Sequence, residues 1–283
     1  MNTAACLAGY GLAVAFVAPW WLAAAGTARA PRLGILAWLL AIGTAGGSLM
    51  AAAAAAARSA NLPLSLTALA LLAATAVRLA WASMLGWRQA RTRRAAHSQL
   101  VAILGRPDPR LGAVLVEAEE RLVYCLPSPH PTVVVTTGAR RVLSPIQLQA
   151  VLAHERAHLS GRHHLLLGCV HAIGRALPWL ALFAHAGPAL ARLLEMRADD
   201  AAARRYGRRT VAAAIAAMGR HPAPAPALGM GGPSALARGL RLCTTEPAWR
   251  SRIGRLGLTL TVVLLATGPY LFSVAPLCPH PWH

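Results

Sequence analysis

The sequence contains no lysine and has few acidic side chains. All 28 basic residues are arginines, against nine aspartates and glutamates, which gives a formal net charge of +19. A strongly basic chain can bind nucleic acid. Here, however, aromatic and basic residues do not alternate, and the arginines lie mainly at the ends of apolar segments and across the central region. We therefore expect no nucleic-acid partner, and we interpret the charge as membrane-flanking and surface charge.

A disulfide framework is also missing from the sequence. The five cysteines are scattered and form no C-x-x-C pair, so their spacing indicates neither paired disulfides nor a cysteine metal site. We predict that they are small, buried apolar residues. They are Cys6, Cys125, Cys169, Cys243 and Cys278.

The chain is rich in long apolar segments. Hydrophobic residues make up 56% of it, and its mean hydropathy is +0.48. Four stretches are long enough to cross a hydrocarbon core of ~30 Å as helices; they are residues 4–25, 33–57, 62–86 and 255–275. No basic residue precedes the first stretch, so we interpret it as a retained span rather than a signal peptide. The predicted fold class is mainly α, with polytopic membrane helices.

The arginines between the predicted spans indicate the orientation of the chain. The first loop carries two of them, the second carries one, and four follow the third span. Because cytoplasmic loops are enriched in basic residues, we place the N-terminus outside the cytoplasm and the central region inside it, in a multi-pass protein of the cell membrane. The predicted domains are three transmembrane helices with a basic cytoplasmic flank in 1–97, a cytoplasmic domain in 98–254, and a C-terminal transmembrane helix with a short tail in 255–283.

Local patterns within the central region predict its secondary structure. Residues 98–121 are typical of an amphipathic helix. Two β-rich runs, 122–126 and 132–137, predict short strands. The segment Ser144–Gln147 has the form of a capping box with proline at the first helical position, so a helix should begin at residue 145 and continue past residue 158.

Two histidines on this helix have the spacing of metal ligands. His154 and His158 are four residues apart, so one helix face presents both imidazoles to a single metal ion. Glu155 follows the first histidine and lies beside the metal. In H-E-x-x-H peptidases a glutamate at this position takes a proton from zinc-bound water. The pattern predicts a zinc site in which Glu155 is the catalytic general base.

The scarcity of acidic residues narrows the choice of a third ligand. After Glu155 the next acids are Glu195, Asp199 and Asp200, on a predicted helix. A catalytic zinc site needs three protein ligands and a water molecule, and Glu195 is our candidate for the third. Asp199 shares its helix face and would accept the free N–H of a ligand histidine. We predict a surface pair between Asp200 and Arg204. His163 and His164 could approach the metal, but we interpret them as polar residues at a helix end.

These motifs together resemble a known family. The segments that carry the resemblance are Val133–Gly138, Leu143–Pro145, Ala153–His163, the E-x-x-x-D motif Glu195–Asp199, and Thr245–Ile253. Over about residues 98–255 the chain resembles membrane gluzincin metallopeptidases of the BlaR/MecR antirepressor type, and more distantly the HtpX-type and CAAX-prenyl-type proteases. The resemblance implies a zincin-type H-E-x-x-H domain with a short β element, bound Zn²⁺, peptide hydrolysis at the cytoplasmic side, and, by analogy, regulatory proteolysis.

The apolar run 165–187 is constrained by the proposed zinc site. If His154 and Glu195 bind one metal, they lie on the same side of the membrane, so the run between them cannot cross it once. About 23 residues are also too few for two crossings. We therefore expect an interfacial or re-entrant helix pair, broken near Pro178.

The sequence thus predicts an integral-membrane zinc-dependent endopeptidase, whose partners are the lipid bilayer and a protein or peptide substrate. The edge of strand 132–137 would pair with the substrate backbone. Arg252 is either a donor to the oxyanion or one half of a structural ion pair. The alternative is a non-catalytic membrane sensor or scaffold with a relic metal site. The retained Glu155 argues against this alternative, because a relic site would tend to lose its base.

Overall fold

The computed structural model describes residues 3–127, 131–219, 228–229, 235–244 and 247–274. The α-helices are α1 Thr3–Ala24, α2 Pro31–Ala56, α3 Leu62–Leu104, α4 Thr137–Val142, α5 Pro145–Ser160, α6 His163–Ala176, α7 Ala181–Tyr206, α8 Arg208–Met218, α9 Ala235–Cys243 and α10 Ala248–Val274. The strands are β1 Gly105–Asp108, β2 Ala113–Val116, β3 Val123–Leu126, β4 Thr132–Thr136 and β5 Leu228–Gly229.

The contacts within the chain divide it into two units. The first comprises Met1–Met84, Cys169–Leu193 and Pro247–His283, and the second comprises Leu85–Gly168 and Leu194–Glu246. The mainly α fold with a small sheet confirms the predicted class.

Four helices are long and apolar enough to cross a membrane. They are Thr3–Ala24, Pro31–Ala56, Leu62–Leu104 and, within α10, Ser251–Leu271. These helices coincide with the four predicted stretches. The third differs in length, because α3 continues for 43 residues through the arginine-rich segment that follows the predicted span. Arginine and alanine are good helix formers, so nothing in that segment ends the helix.

Small residues form the packed face between α1 and α2 in the first unit. Ala15, Ala41 and Ala45 are fully buried. A Cβ atom built at Gly11 would lie 2.9 Å from Leu49 Cγ, so a side chain there would collide with α2. Small residues let helix backbones approach closely, which is how membrane helices gain van der Waals contact.

The second unit contains a five-stranded sheet in the order β1-β2-β4-β3-β5. Strands β2 and β4 are parallel, and the other neighbours are antiparallel. Because β4 lies between β2 and β3, the expectation that 132–137 forms an edge strand open to substrate is wrong. The run Val133–Val135 is buried, which explains its β-branched, wholly apolar sequence.

The predicted helix over 98–121 is also wrong beyond Leu104. Strands β1 and β2 follow α3 directly and form an antiparallel hairpin. The Asp108 carboxylate accepts hydrogen bonds from the N–H groups of Arg110 and Leu111, at 3.0 and 3.2 Å. Gly112 then adopts a positive φ of 58°. This turn chemistry, with a proline on each side of Asp108, outweighs the helical periodicity.

Other local predictions in this unit are confirmed. Strands β3 and β4 fall within the predicted runs, and α5 begins at Pro145. The Ser144 N–H donates to Gln147 Oε1 at 2.9 Å, and the Gln147 N–H donates to Ser144 Oγ at 3.4 Å. The capping box therefore starts the helix that carries both candidate histidine ligands.

Helices α6 and α7 occupy the region of the apolar run 165–187. The first ends at Ala176 and the second begins at Ala181, so Pro178 lies where the sequence predicts a break. Neither helix is among the candidate spans found in the described part of the chain. Their interfacial or re-entrant placement stays a prediction, as do the domain boundaries.

The cysteines differ from the expectation of uniform burial. Cys125 is buried, whereas Cys169 and Cys243 are exposed free thiols. Cys6 is buried and disulfide-bonded, contrary to the prediction from spacing. Cys278 lies outside the described residues.

Candidate metal centre

The two candidate histidine ligands lie in the buried middle of α5. His154 and His158 are 0% and 1% exposed, and their Nε2 atoms are 3.1 Å apart. The four-residue spacing brings both rings to the same side of the helix, as the sequence predicts. Two imidazole nitrogens therefore converge on one point inside the second unit.

Glu195 of α7 brings a carboxylate to the same point. Its Oε1 lies 3.3 Å from His158 Nε2, and its Oε2 lies 3.6 Å from His154 Nε2. A zinc ion with tetrahedral bonds of about 2.0–2.1 Å holds its ligand atoms about 3.3 Å apart. The separation of the two Nε2 atoms and that of His158 Nε2 from Glu195 Oε1 have this size, so the donor set fits a zinc ion.

Asp199 lies against the second ring nitrogen of His154. The carboxylate is fully buried, and its Oδ1 lies 3.1 Å from His154 Nδ1. A carboxylate on Nδ1 favours the tautomer that carries its proton there, which leaves Nε2 free for a metal. Burial lowers the pKa of His154, but the contacts with Asp199 and Glu195 outweigh burial and raise the pKa to about 9.

His163 has a role that the sequence analysis missed. It is 2% exposed, and its Nδ1 lies 2.8 Å from Nδ1 of His158. Burial, with His158 and Arg197 nearby, lowers the pKa of His163 to about 3, so its ring is neutral and can accept the N–H of His158. His163 is the first residue of α6, so it lies at a helix end as predicted, but its ring is buried against a candidate ligand. Arg162, at a positive φ of 47°, is the turn residue that precedes it.

Glu155 is fully buried, and only one of its two carboxylate oxygens accepts a hydrogen bond from a described residue. Its Oε2 accepts the N–H of Cys125, on β3, at 3.0 Å. Its Oε1 is buried and accepts no hydrogen bond from any described residue. Burial raises the pKa of Glu155 to about 8; His154 opposes this shift and Glu195 adds to it. The free oxygen is therefore available to a group that enters the site.

Arg238 of α9 completes the cluster, and no signal in the sequence identified it. The side chain is 1% exposed. Its Nε and Nη2 donate to Asp199 Oδ2 and Oδ1 at 2.8 and 2.6 Å, and its Nη1 lies 2.7 Å from Glu195 Oε2. Burial raises the pKa of both carboxyls. Hydrogen bonds from His154 and His158, with the charge of Arg238, outweigh burial and hold the pKa of Glu195 well below its usual range. Hydrogen bonds from Arg238 and His154 likewise hold the pKa of Asp199 at about 2.

The remaining predicted residues lie elsewhere. Asp200 pairs with Arg241 at 2.5 Å rather than with the predicted Arg204, because α9 packs against this side of α7. Arg252 is exposed on α10, and its role at an oxyanion or in an ion pair stays a prediction.

Comparisons with known proteins agree with this geometry. Residues 86–191 match the model of Peptidase family M48, a stretch that includes α5 and ends four residues before Glu195. Over 84 residues the chain is 33% identical to a protein described as "Protease HtpX homolog" from Persephonella marina (strain DSM 14350 / EX-H1). That match covers 30% of this chain and 29% of the relative, so the chain spans under a third of the relative's length. No solved structure matches the chain.

These matches confirm the resemblance to membrane metallopeptidases of the HtpX type. The finer resemblance to the BlaR/MecR type stays a prediction. Peptidase family M48 implies a divalent metal, usually zinc, and the His154–His158–Glu195 group is where such an ion would bind.

Proposed function

We propose that the chain is an integral-membrane zinc-dependent endopeptidase that hydrolyses peptide bonds of a protein substrate at the cytoplasmic membrane face. The observation that carries the proposal is the convergence of His154, His158 and Glu195. Their ligand atoms come from two helices and all lie within 4.8 Å of one another. A buried cluster of this spacing has the chemistry of a catalytic His₂Glu zinc site.

The protein residues around the ligands have separate roles in this proposal. A zinc ion bound there would act as a Lewis acid that polarises the scissile carbonyl and makes a bound water more acidic. Glu155 accepts the proton of the attacking water at Oε1 and passes it to the leaving amine. Its other oxygen stays on the Cys125 N–H, which keeps the free oxygen in place during the transfer. Asp199 keeps His154 in the tautomer that binds the metal through Nε2.

The substrate is a protein or peptide, and β4 does not bind it. Both edges of β4 are already paired within the sheet. The strand that borders the base is β3, through the contact between Cys125 and Glu155. Regulatory proteolysis is proposed by analogy with the family resemblance only.

The arginine distribution supports the cytoplasmic placement of the site. Two arginines lie between the first two spans, one lies in the next loop, and four follow within the first ten residues after Leu85, where the second unit begins. Basic residues of this kind are retained on the cytoplasmic side. Reporter fusions at the loops test this orientation separately from the chemistry.

The competing proposal is a non-catalytic membrane sensor or scaffold with a relic metal site. Both proposals place a metal on the two histidines and Glu195, so metal binding alone does not separate them. The buried, singly bonded Glu155 favours catalysis, because a relic site has no need of a base with a free oxygen.

The test combines zinc content with proteolysis, on full-length protein in detergent. The variants are Glu155→Gln, Glu195→Ala and, as a control on the same helix, Asp200→Ala. We expect about one zinc per chain in the wild type, in Glu155→Gln and in Asp200→Ala, and loss of zinc in Glu195→Ala. Cleavage of fluorescently labelled casein should require both zinc and Glu155.

Each other outcome has a defined meaning. Zinc bound without cleavage of casein or of a detergent-solubilised membrane-protein mixture would favour the sensor or scaffold. A wild type that takes up no zinc after metal loading would refute both proposals.

A further inference from the structure

Arg238 contacts both carboxylates of the candidate metal centre. Glu195 and Asp199 lie one helical turn apart on α7, and the same guanidinium reaches both. It is one of the largest side chains that the described structure buries completely. Burying an arginine is costly unless the charge is paired, and here two carboxylates pair with it.

The guanidinium divides its donors unequally between these partners. The Nε and Nη2 edge forms two hydrogen bonds with Asp199, at 2.8 and 2.6 Å. This fork holds the carboxylate whose Oδ1 lies 3.1 Å from His154 Nδ1. With Glu195 the guanidinium forms an ion pair, in which Nη1 lies 2.7 Å from Oε2 without a hydrogen bond. A planar guanidinium fixes both contacts at once, which a lysine ammonium cannot do.

Arg238 contacts only one of the two Glu195 oxygens. Oε2 lies 2.7 Å from Arg238 Nη1 and 3.6 Å from His154 Nε2, whereas Oε1 lies 3.3 Å from His158 Nε2. An unrestrained carboxylate can bind a metal through both oxygens. The second oxygen would then fill a position that a catalytic site keeps open for water and substrate.

We propose that Arg238 is a positioning residue that restricts Glu195 to one ligand oxygen and holds Asp199 against His154, so that one coordination position of the metal stays open. This inference rests on the proposed function, because it requires a metal at this centre. It concerns the coordination number rather than the hydrolysis, so it can be tested without a substrate.

Arg241 provides a matched control. It lies one turn further along α9, and it also pairs with α7, through Asp200 at 2.5 Å and the Met196 carbonyl at 3.0 Å. It thus joins the same two helices without contacting any candidate ligand. If Arg238 only joined α9 to α7, loss of Arg241 would have a similar effect.

The experiment measures Co²⁺ binding to full-length, metal-stripped protein in detergent. Co²⁺ replaces zinc because Zn²⁺, a d¹⁰ ion, has no visible spectrum, whereas the intensity of the cobalt bands falls as coordination rises from four to five. The variants are Arg238→Met, which removes the guanidinium, Arg238→Lys, which keeps the charge without the fork, and Arg241→Met. Thermal unfolding of each variant checks that it is folded.

We expect Arg238→Met to bind cobalt with band intensity reduced about twofold or more, because the coordination geometry has changed. Its affinity should fall about 10–100-fold, the usual effect of losing a residue that orients metal ligands. Arg238→Lys should lie between Arg238→Met and the wild type, and Arg241→Met should match the wild type. If Arg238→Met does not fold, Arg238→Lys decides the question by the same readout.

Two results would overturn the inference. In the first, both Arg238 variants bind cobalt with wild-type intensity and affinity; in the second, Arg241→Met changes the spectrum as much as Arg238→Met. A wild type that binds neither cobalt nor zinc would refute the proposed function as well. Failure of proteolysis with a normal wild-type spectrum would refute only the proposed function.

Discussion

The interiors of the two units have different chemistry. Between α1 and α2 the first unit buries small apolar residues, among them Ala15, Ala41 and Ala45. Within the described residues, that unit buries no charged side chain. The second unit buries four ionisable side chains of α5 and α6 together with an acid and an arginine; these are His154, Glu155, His158, His163, Asp199 and Arg238.

This difference shows that each interior depends on its sequence in its own way. Close packing of small residues depends on volume, so one small residue can replace another at modest cost. A buried set of charges is stable only when each charge keeps its partner, because an unpaired one is strongly destabilising. The second unit therefore depends on specific side chains, whereas in the first unit the close contact between α1 and α2 depends on small residues at the positions where the two backbones meet.

The largest expected effect comes from breaking the charged interior. Asp199→Leu leaves Arg238 and His154 without their main partner, and we expect it to destabilise the second unit by about 3–5 kcal/mol. Asp200→Leu is the control, because its partly exposed pair with Arg241 contributes at most about 1 kcal/mol. Hydrogen exchange of α5 and α7 amides, followed by mass spectrometry, measures both. Equal effects of the two variants would show that the buried pair is no more important than the surface pair.

Metal removal should destabilise the second unit and leave the first unit unchanged. A zinc ion present at a hundredfold its dissociation constant stabilises the folded state by about 2.7 kcal/mol. Stripping it with a chelator should therefore speed exchange in α5 and β3 and leave α1 and α2 unchanged. A matched fall in protection across all four elements would contradict this, since no described metal-ligand group lies in the first unit.

The first unit should respond instead to added volume. Gly11→Leu places a side chain where a Cβ atom already comes within 2.9 Å of Leu49 Cγ, and overpacking of this kind costs about 1–3 kcal/mol. Gly9→Leu, two residues away with nothing near its Cβ, should be close to neutral. Thermal unfolding in detergent compares the two. A larger fall in unfolding temperature for Gly9→Leu than for Gly11→Leu would contradict this explanation.

The smallest effect is expected at the start of α5. Ser144→Ala removes the side chain that accepts the Gln147 N–H, and loss of such a cap costs about 1 kcal/mol. Faster exchange should be confined to the first turn of the helix, with casein cleavage and zinc content unchanged. Loss of zinc in this variant would mean that the cap, rather than the buried charges, sets the position of the ligands.

The contrast between the units also explains what the sequence could predict. Spans, capping, strands and the His154–His158 pair follow from local patterns, and Glu195 stands out because acids are so rare. Arg238 carries no local pattern and is one arginine among many. The buried role of His163 depends on a turn in which the positive φ falls on Arg162 rather than on the adjacent Gly161. The interior place of β4 arises from pairing with a hairpin that helical periodicity concealed.

The hydrogen bond between Cys125 and Glu155 has a consequence for evolution. One donor is a main-chain amide, which does not depend on the side chain at this position, and the Cys125 thiol adds a second hydrogen bond. Serine, alanine or valine could replace the cysteine over time and leave the base anchored to the strand. Proline alone lacks the donor and would release it. Position 125 should therefore exclude proline among related sequences, and of the other three replacements only serine would also keep a side-chain donor beside Glu155.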